Sequence, residues 1–228
     1  MPSRIPQTGG ALARSAVPFA GTPRKDMRTT HTLIAWLAAA ALSACTGPAE
    51  TVSVHGTDLV VDRWSIERGG PGSSEPDIHF KACLKELAVV DGLSCEGWIR
   101  FHTEDRLAQC FLAEDALVQG HAFPAGTCLW FHPDGWLEDV WLSRDTVFDG
   151  VLYDGGWGKI MVSFHPNGRV RSGFLTEDTV LEGVPCLASL FHPVEHDAEG
   201  HLSRCTLAAP FEHGGRTYGR GDMLLLGR

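Results

Sequence analysis

The chain of 228 residues is poor in basic side chains and has no long apolar run. Its 19 Lys and Arg residues stand against 28 Asp and Glu, and they form no cluster of the kind that a nucleic-acid-binding face needs. The longest uninterrupted apolar stretch, Leu33 to Leu42, is about half as long as the roughly 20 residues that span a membrane. We therefore expect no nucleic-acid partner and no transmembrane helix in this stretch.

The familiar motifs of catalysis and metal binding are also missing from the sequence. It contains no G-x-S-x-G, no H-E-x-x-H, no phosphate-binding glycine loop and no C-x-x-C pair. Scattered serines have no recognisable partners for a nucleophilic triad. We therefore expect no enzymatic activity, no catalytic residue and no cofactor.

What the sequence does contain near its start is an export signal. Residues 27–44 run from Arg28 through polar residues and the apolar stretch to small residues, which is the order of a signal peptide. The following Leu42-Ser43-Ala44-Cys45 resembles the lipobox of bacterial lipoproteins. That resemblance implies that Cys45 becomes the first mature residue and carries the lipid, including palmitate-type acyl chains. Residues 1–26 are then a start-site artefact or a long n-region.

The same resemblance places the protein in a bacterial cell envelope. Thr46 follows the cysteine where an aspartate is associated with retention in the inner membrane, so the outer membrane is favoured. Without residues 1–45, which hold five basic and one acidic residue, 14 basic residues face 27 acidic ones, a net charge of −13. Such a chain is repelled by anionic lipid. Membrane attachment is therefore expected through the lipid anchor alone.

An internal repeat is the second strong signal. A Phe-His pair occurs four times, and in the first three copies the same residue types follow at 11, 14 and 19 residues. The anchors are Phe101, Phe131, Phe164 and Phe191; the leucines Leu112, Leu142, Leu175 and Leu207; the aspartates Asp115, Asp145 and Asp178; the glycines Gly120, Gly150, Gly183 and Gly215. The fourth copy carries five extra residues around 194–198, and a partial copy precedes the first. We predict four full units and one partial unit of about 30 residues.

The chemistry of each unit is that of short strands and tight turns. In Phe164-His165-Pro166-Asn167-Gly168, the Asn-Gly pair tolerates the positive φ that a tight hairpin turn demands. Short β-branched segments such as Thr146-Val147-Phe148 precede the repeated glycines. The sequence therefore predicts an all-β fold, a tandem array of short antiparallel strands and hairpins wound as a meander or a solenoid.

These units resemble bacterial envelope proteins with F-[HY]-x-N-G repeats, MORN repeats and the MORN-like repeats of YwqK-type antitoxins. The resemblance covers residues 98–228 well and 78–97 weakly, and residues 103–105 depart from its turn. It implies an elongated array that presents a surface to partners. We therefore expect a non-catalytic binding or scaffolding module for a protein or a cell-wall glycan. An immunity protein that neutralises a toxin is the alternative within the same resemblance.

The predicted domain plan follows from these signals. After the signal peptide we expect a lipidated tether at residues 45–53, a first strand and flexible loop at 54–77, and the β-repeat domain at 78–228. The loop is predicted from the run of glycine, proline and serine at residues 69–76.

Six cysteines follow Cys45, an even number that predicts disulfides in an exported protein. They are Cys83, Cys95, Cys110, Cys128, Cys186 and Cys205. A Cys186–Cys205 bond is one choice, because the same two repeat positions recur as Cys95 and Cys110, but it leaves Cys83 with Cys128. Sequential pairing of Cys83 with Cys95 and of Cys110 with Cys128 is equally open.

Histidines and carboxylates supply the third hypothesis, a metal-handling or hydrolytic protein. His192, His196 and His201 lie among acidic residues in the fourth copy and are the best metal candidates. The histidines that follow each anchor form a possible ligand row as well, although a repeated position more often serves packing or turn support. The repeated aspartates are expected to bond backbone N–H groups in turns.

Tryptophans are the last candidates for binding. Trp98, Trp130, Trp136, Trp141 and Trp157 are dense for this length. An exposed Trp beside polar residues suits a protein or glycan partner. The alternative is that these rings fill the small core of each hairpin.

Overall fold

A computed structural model describes residues 48–54, 56–67, 79–102, 106–156 and 161–227. Within these residues the chain is all-β, which confirms the predicted fold class, and no helix is long and apolar enough to cross a membrane. Residues 1–26, the signal peptide, Cys45, the loop at 69–76, the turn at 103–105 and Trp157 lie outside the described residues.

Twenty-one strands occur in the part of the chain that the structure describes. They are β1 Glu50–Val54, β2 Thr57–Glu67, β3 His79–Leu84, β4 Ala88–Val90, β5 Leu93–Phe101, β6 Leu107–Leu112, β7 Ala116–Val118, β8 His121–Phe123, β9 Cys128–Phe131, β10 Leu137–Trp141, β11 Thr146–Phe148, β12 Val151–Tyr153, β13 Val162–Phe164, β14 Val170–Gly173, β15 Thr179–Leu181, β16 Val184–Cys186, β17 Val194–His196, β18 Leu202–Thr206, β19 Phe211–His213, β20 Arg216–Tyr218 and β21 Met223–Leu225.

Thirteen of the described strands form one antiparallel sheet. Its order is β1-β2-β3-β5-β6-β9-β10-β13-β14-β17-β18-β21, with β4 paired to the start of β5. Neighbours in the sheet follow one another along the chain once the short hairpins β7–β8, β11–β12, β15–β16 and β19–β20 are set aside. The sheet is therefore a meander. From β6 onward, a short hairpin follows every second strand of the sheet, after β6, β10, β14 and β18.

Each short hairpin turns on two residues with positive φ. Gln119 and Gly120 have φ of 48° and 89°, and Asp149 and Gly150 have 51° and 81°. Two left-handed residues are the signature of a type I′ turn, whose twist matches that of the strands it joins. The repeated glycines at 120, 150, 183 and 215 all lie at the second turn position, each with positive φ.

The hairpins cover one side of the sheet, here called the inner face. In β7, β8, β11 and β12 the last residue of each strand is buried while the middle residue is exposed. Phe123 and Phe148 from two hairpins lie 6.2 Å and 5.7 Å, ring centre to ring centre, from Phe164 of the sheet. The core is therefore a single layer of side chains between the hairpins and the sheet. The opposite side of the sheet is the outer face.

Most repeated anchors lie in this core, but the fourth does not. Phe101, Phe131 and Phe164 are buried, as are Leu112, Leu142, Leu175 and Leu207, whereas Phe191 is 84% exposed and lies outside any strand. His196 is paired with Leu202 as Phe164 is paired with Val170, so His196 holds the anchor position. A matching dipeptide had suggested Phe191, but strand pairing selects a different residue.

The extra residues of the fourth copy also lie elsewhere than expected. The turn that follows β17 is closed by a Gly200 N–H to Asp197 O hydrogen bond of 3.0 Å. The preceding copy is closed in the same way by Gly168 and His165, at 2.8 Å. This hairpin therefore holds no insertion, and the additional residues lie before β17, in residues 187–193.

The stretch expected to be a tether is partly a strand. Glu50–Val54 forms β1 and pairs along its whole length with β2, from Glu50 opposite Val61 to Val54 opposite Thr57. Alternating β-branched residues favour an extended strand, and Val54 is buried. Among the described residues the sheet therefore begins at Glu50, and the strand that was predicted to be the first is the second.

Candidate functional site

One candidate surface is the outward side of the hairpins. Because side chains alternate along a strand, the middle residue of each three-residue strand points away from the core. In the first strand of three hairpins this residue is aliphatic, with Leu117 74%, Val147 58% and Val180 68% exposed. Their cross-strand partners are Ala122, Leu152 and Pro185. We call these six residues the apolar ridge.

Polar residues occupy the corresponding positions at the end of the hairpin series. In β19–β20 the outward pair is Glu212 opposite Thr217, and both are exposed. At the other end of the series, in β4–β5, an exposed Val89 lies opposite Ser94, so this pair is half apolar. Consecutive hairpins are joined to the sheet two strands apart, about 10 Å. The ridge therefore extends about 20 Å across the three central hairpins and becomes polar at its far end.

A second candidate surface lies on the outer face of the sheet. Trp130 lies opposite Gln109 on one neighbouring strand and Asp139 on the other, and Trp141 lies opposite Cys128. The rings of Trp130 and Trp141 meet edge to face, with centroids 4.5 Å apart, and both are half-buried. This arrangement leaves parts of two indole rings at the surface beside an amide and a carboxylate.

Cations extend this aromatic surface towards β3. The Lys81 ammonium lies 4.6 Å, and the Arg63 guanidinium 5.8 Å, from the centre of the Trp98 ring. Such contacts hold a cation over the ring face. We call Trp98, Phe111, Trp130 and Trp141, together with these two cations, the aromatic patch.

One polar atom in the patch lacks a partner. The Trp141 indole Nε1 is buried and has no hydrogen-bond acceptor among the described residues. An unpaired buried donor costs about 1–3 kcal/mol.

The histidines that follow the anchors serve the backbone. His102 Nε2 lies 2.8 Å from the Phe131 carbonyl oxygen, and His165 Nε2 lies 3.0 Å from that of His196. In both cases the acceptor is about one repeat further along the chain, so the ring donates a hydrogen bond that ties two turns together. His132 instead stacks on Trp136, with centroids 4.9 Å apart. The structure therefore favours packing and turn support over a metal-ligand row.

The proposed metal cluster is divided among separate partners. His196 Nε2 lies 3.1 Å from the Tyr153 hydroxyl, His201 Nδ1 lies 2.9 Å from Glu182 Oε1, and His192 is exposed. Burial lowers the pKa of His196 and raises the pKa of Tyr153. No group of three or more His, Cys, Asp or Glu side chains in the described ranges is arranged to hold a metal ion. The structure therefore does not bring these three histidines together around one point.

The three repeated aspartates share one structural role. Each accepts a hydrogen bond from the backbone N–H ten residues later: Asp115 from Ala125 at 2.8 Å, Asp145 from Gly155 at 2.9 Å, and Asp178 from Ala188 at 2.9 Å. The carboxylate therefore closes the base of each hairpin, as the turn interpretation predicted.

Of the two candidate surfaces, the sequence interpretation included the tryptophans and missed the apolar ridge. The signal was present in the alternation of three-residue strands such as Ala116-Leu117-Val118, whose central residue must face away from its neighbours. Which of the two faces is covered is decided by the sheet that packs against it.

Comparisons with known proteins identify no relative of this chain. No family model, no curated protein and no solved structure matches it.

Proposed function

We propose that this protein is a lipid-anchored component of a bacterial cell envelope that binds a protein partner without catalysis, through the apolar ridge. The lipobox-like sequence before Cys45 supports the anchor and the outer-membrane location. The observation that carries the binding role is the row of exposed aliphatic side chains on three successive hairpins. Contiguous exposed apolar surface rimmed by polar residues marks interaction sites in soluble proteins.

The proposal includes an array of units of about 30 residues. The buried leucines at 112, 142, 175 and 207 are spaced by 30, 33 and 32 residues, and the hairpin glycines at 120, 150, 183 and 215 have the same spacing. When His196 is taken as the fourth anchor, the anchors have this spacing as well. Such an array repeats one outward-facing position at regular intervals, which is how a short motif generates an extended binding surface.

The ridge has enough apolar surface to support specific binding. Complete burial of a Leu or Val side chain contributes about 1.5–3 kcal/mol, and the three most exposed members are already held in place by their hairpins. Because the hairpins are closed by turns and by the repeated aspartates, little backbone conformational freedom is lost on binding. A toxin, as the resemblance to antitoxins implies, is one class of protein partner that such a surface suits.

Site-specific photo-crosslinking in the native envelope tests this role. A photoreactive residue at position 147, in the centre of the ridge, should yield a protein adduct that is absent when the residue is placed at position 217 of the polar hairpin. Adding charge through Leu117→Glu with Val180→Glu should abolish the adduct, whereas Thr217→Glu should leave it. No adduct at 147, or the same adducts from both positions, would contradict the proposal.

A cell-wall glycan bound to the aromatic patch is the second candidate function. It is favoured by the half-buried indoles of Trp130 and Trp141 beside Gln109 and Asp139. Sugar rings stack on indole faces while their hydroxyls bond to neighbouring polar groups.

Sedimentation with purified peptidoglycan tests the second candidate. Trp130→Ala should reduce the bound fraction at least tenfold, while Trp64→Ala, which alters an exposed ring outside the patch, should leave it unchanged. An equal loss in both variants, or no binding by the parent protein, would exclude the patch as a glycan site.

A further inference from the structure

Two cysteine pairs occupy equivalent places in the fold. In the first, Cys95 of β5 lies opposite Leu112 of β6, and Cys110 lies two residues before that leucine. Side chains two residues apart on a strand lie on the same face. Cys95 and Cys110 are therefore diagonal neighbours on the inner face. Diagonal neighbours lie about 7–8 Å apart with their Cβ atoms somewhat closer, which is at the upper limit of the Cα separation that a disulfide spans.

The second pair repeats this register near the other end of the sheet. Cys186, at the end of hairpin β15–β16, is bridged to Leu207, and Cys205 of β18 lies two residues before that leucine. The relation of the two cysteines to the leucine is the same as in the first pair. Each pair thus joins the second strand of a hairpin turn to the following strand of the sheet.

The four cysteines are free thiols in the structure, and the members of each pair lie close enough to affect one another: Cys95 raises the pKa of Cys110, and Cys205 raises that of Cys186. All four are shielded from solvent. Cys95, Cys110 and Cys186 are 0% exposed and Cys205 is 1% exposed. Bond formation within a pair therefore requires small movements of side chains that are packed together.

The corresponding place in an intervening hairpin holds different residues. Tyr153 is bridged to Leu175 as Cys186 is to Leu207, and Gly173 lies two residues before Leu175. The Tyr153 ring occupies the space in which a side chain at position 173 would lie. The tyrosine ring and the glycine together fill the volume that two cysteines fill in the other hairpins. Where the cysteines are present, the contact between hairpin and sheet can become a covalent link.

The remaining two cysteines take no part in these pairs: Cys83 is disulfide-bonded, and Cys128 is a free thiol. Cys128 belongs to the outer face, where Gln109 Nε2 donates a hydrogen bond of 3.0 Å to its sulfur. Burial raises its pKa to about 12. Cys83 lies opposite Trp98 on β3, three strand spacings from Cys128, or about 14 Å. A disulfide needs Cα atoms within about 7 Å, which excludes a Cys83–Cys128 link. Cys110 lies opposite Leu129, so its side chain and that of Cys128 point to opposite faces of the sheet, which excludes a Cys110–Cys128 link.

We propose that Cys95 with Cys110 and Cys186 with Cys205 form two disulfides in the exported protein, which link the early and late hairpins of the array to the sheet. The oxidant is the disulfide form of an envelope thiol oxidoreductase. One cysteine attacks that disulfide, forming a mixed disulfide and releasing a thiol; the second cysteine then attacks the first sulfur and releases the other thiol. Two electrons and the two thiol protons pass to the oxidoreductase, which leaves as the dithiol.

Peptide mapping of the full chain, purified from envelopes without reductant and with free thiols blocked, tests the pairing. Cleavage before aspartate separates all six cysteines, since Asp91, Asp105, Asp115 and Asp197 lie between them, with further aspartates elsewhere. The expected linked peptides contain Cys95 with Cys110 and Cys186 with Cys205. They should persist in Cys128→Ser. Blocked thiols at these four positions, or a link from any of them to Cys128 or Cys83, would overturn the proposal.

A stability measurement separates a structural link from an accidental one. Reduction of the parent should lower its folding equilibrium constant about a hundredfold for each disulfide. In Cys186→Ala with Cys205→Ala, the effect of reductant should fall by about half on a logarithmic scale, whereas Cys128→Ala should retain it in full. An unchanged effect of reductant in the double variant would contradict a structural link at this position. If that variant does not fold, the peptide map of the parent decides the pairing.

Discussion

Two neighbouring hairpins fill the same position of the fold with different side chains. Beneath β11–β12 the Tyr153 ring lies against Gly173, whereas beneath β15–β16 the thiol of Cys186 contacts that of Cys205. The first pair combines the large tyrosine side chain with a glycine, which has no side chain. The second pair combines the two small side chains of cysteine. The comparison teaches that two different pairs of residue types keep this position of the fold filled, because packed interiors tolerate compensating changes in size.

The largest test of this comparison removes the ring. Tyr153→Ala should lower the free energy of unfolding by about 3–5 kcal/mol, since Tyr153 is 1% exposed and its loss leaves a cavity. Urea unfolding measures the change. The adjacent Leu152→Ala, which removes a side chain that is 37% exposed, is the control and should cost less than about 1 kcal/mol. A loss below about 1 kcal/mol for Tyr153→Ala would show that the position is not tightly packed.

A smaller effect is expected when the glycine is changed. A Cβ added at Gly173 would overlap the Tyr153 ring, so Gly173→Ala should cost about 1–3 kcal/mol. Gly156→Ala is the matched control, because nothing lies within 4 Å of a Cβ at that position. Equal unfolding midpoints for the two variants would mean that the ring can move aside at little cost.

The smallest predicted effect concerns pH. His196 contacts the Tyr153 hydroxyl, and burial lowers its pKa below the usual 6.5. The unfolded chain therefore binds a proton more readily than the folded one. This contribution is fully present above about pH 6.5 and is lost as pH falls from there through the folded-state pKa.

His196→Gln should therefore make stability fall less between pH 7 and pH 5 than it does in the parent protein. Urea unfolding at each pH measures this difference. His192→Gln, which alters an exposed histidine, is the control and should keep the parent's pH dependence. If His196→Gln kept the pH dependence of the parent protein, the contact between His196 and Tyr153 would not be the source of that dependence. The two hairpins would then not differ in how pH affects their stability.

Local chemistry explains which parts of the fold were predictable. Asn167 and Gly168 mark a tight turn in any context, and a glycine such as Gly150 is required where φ is 81°. The fourth anchor was placed at Phe191 from a matching dipeptide, whereas pairing with Leu202 assigns the position to His196. A dipeptide carries no information about which distant strand it will meet.

The sequence by itself determined the all-β class, the turn positions and the turn-bonding role of aspartates such as Asp145, because these depend on alternation and on contacts within about ten residues. Tertiary structure decided that Leu117 and its equivalents face outward, that His165 bonds to the next unit, and that Cys186 meets Cys205. The reason is that these features depend on the register between strands. A shift of one residue in that register moves every side chain of a strand to the opposite face.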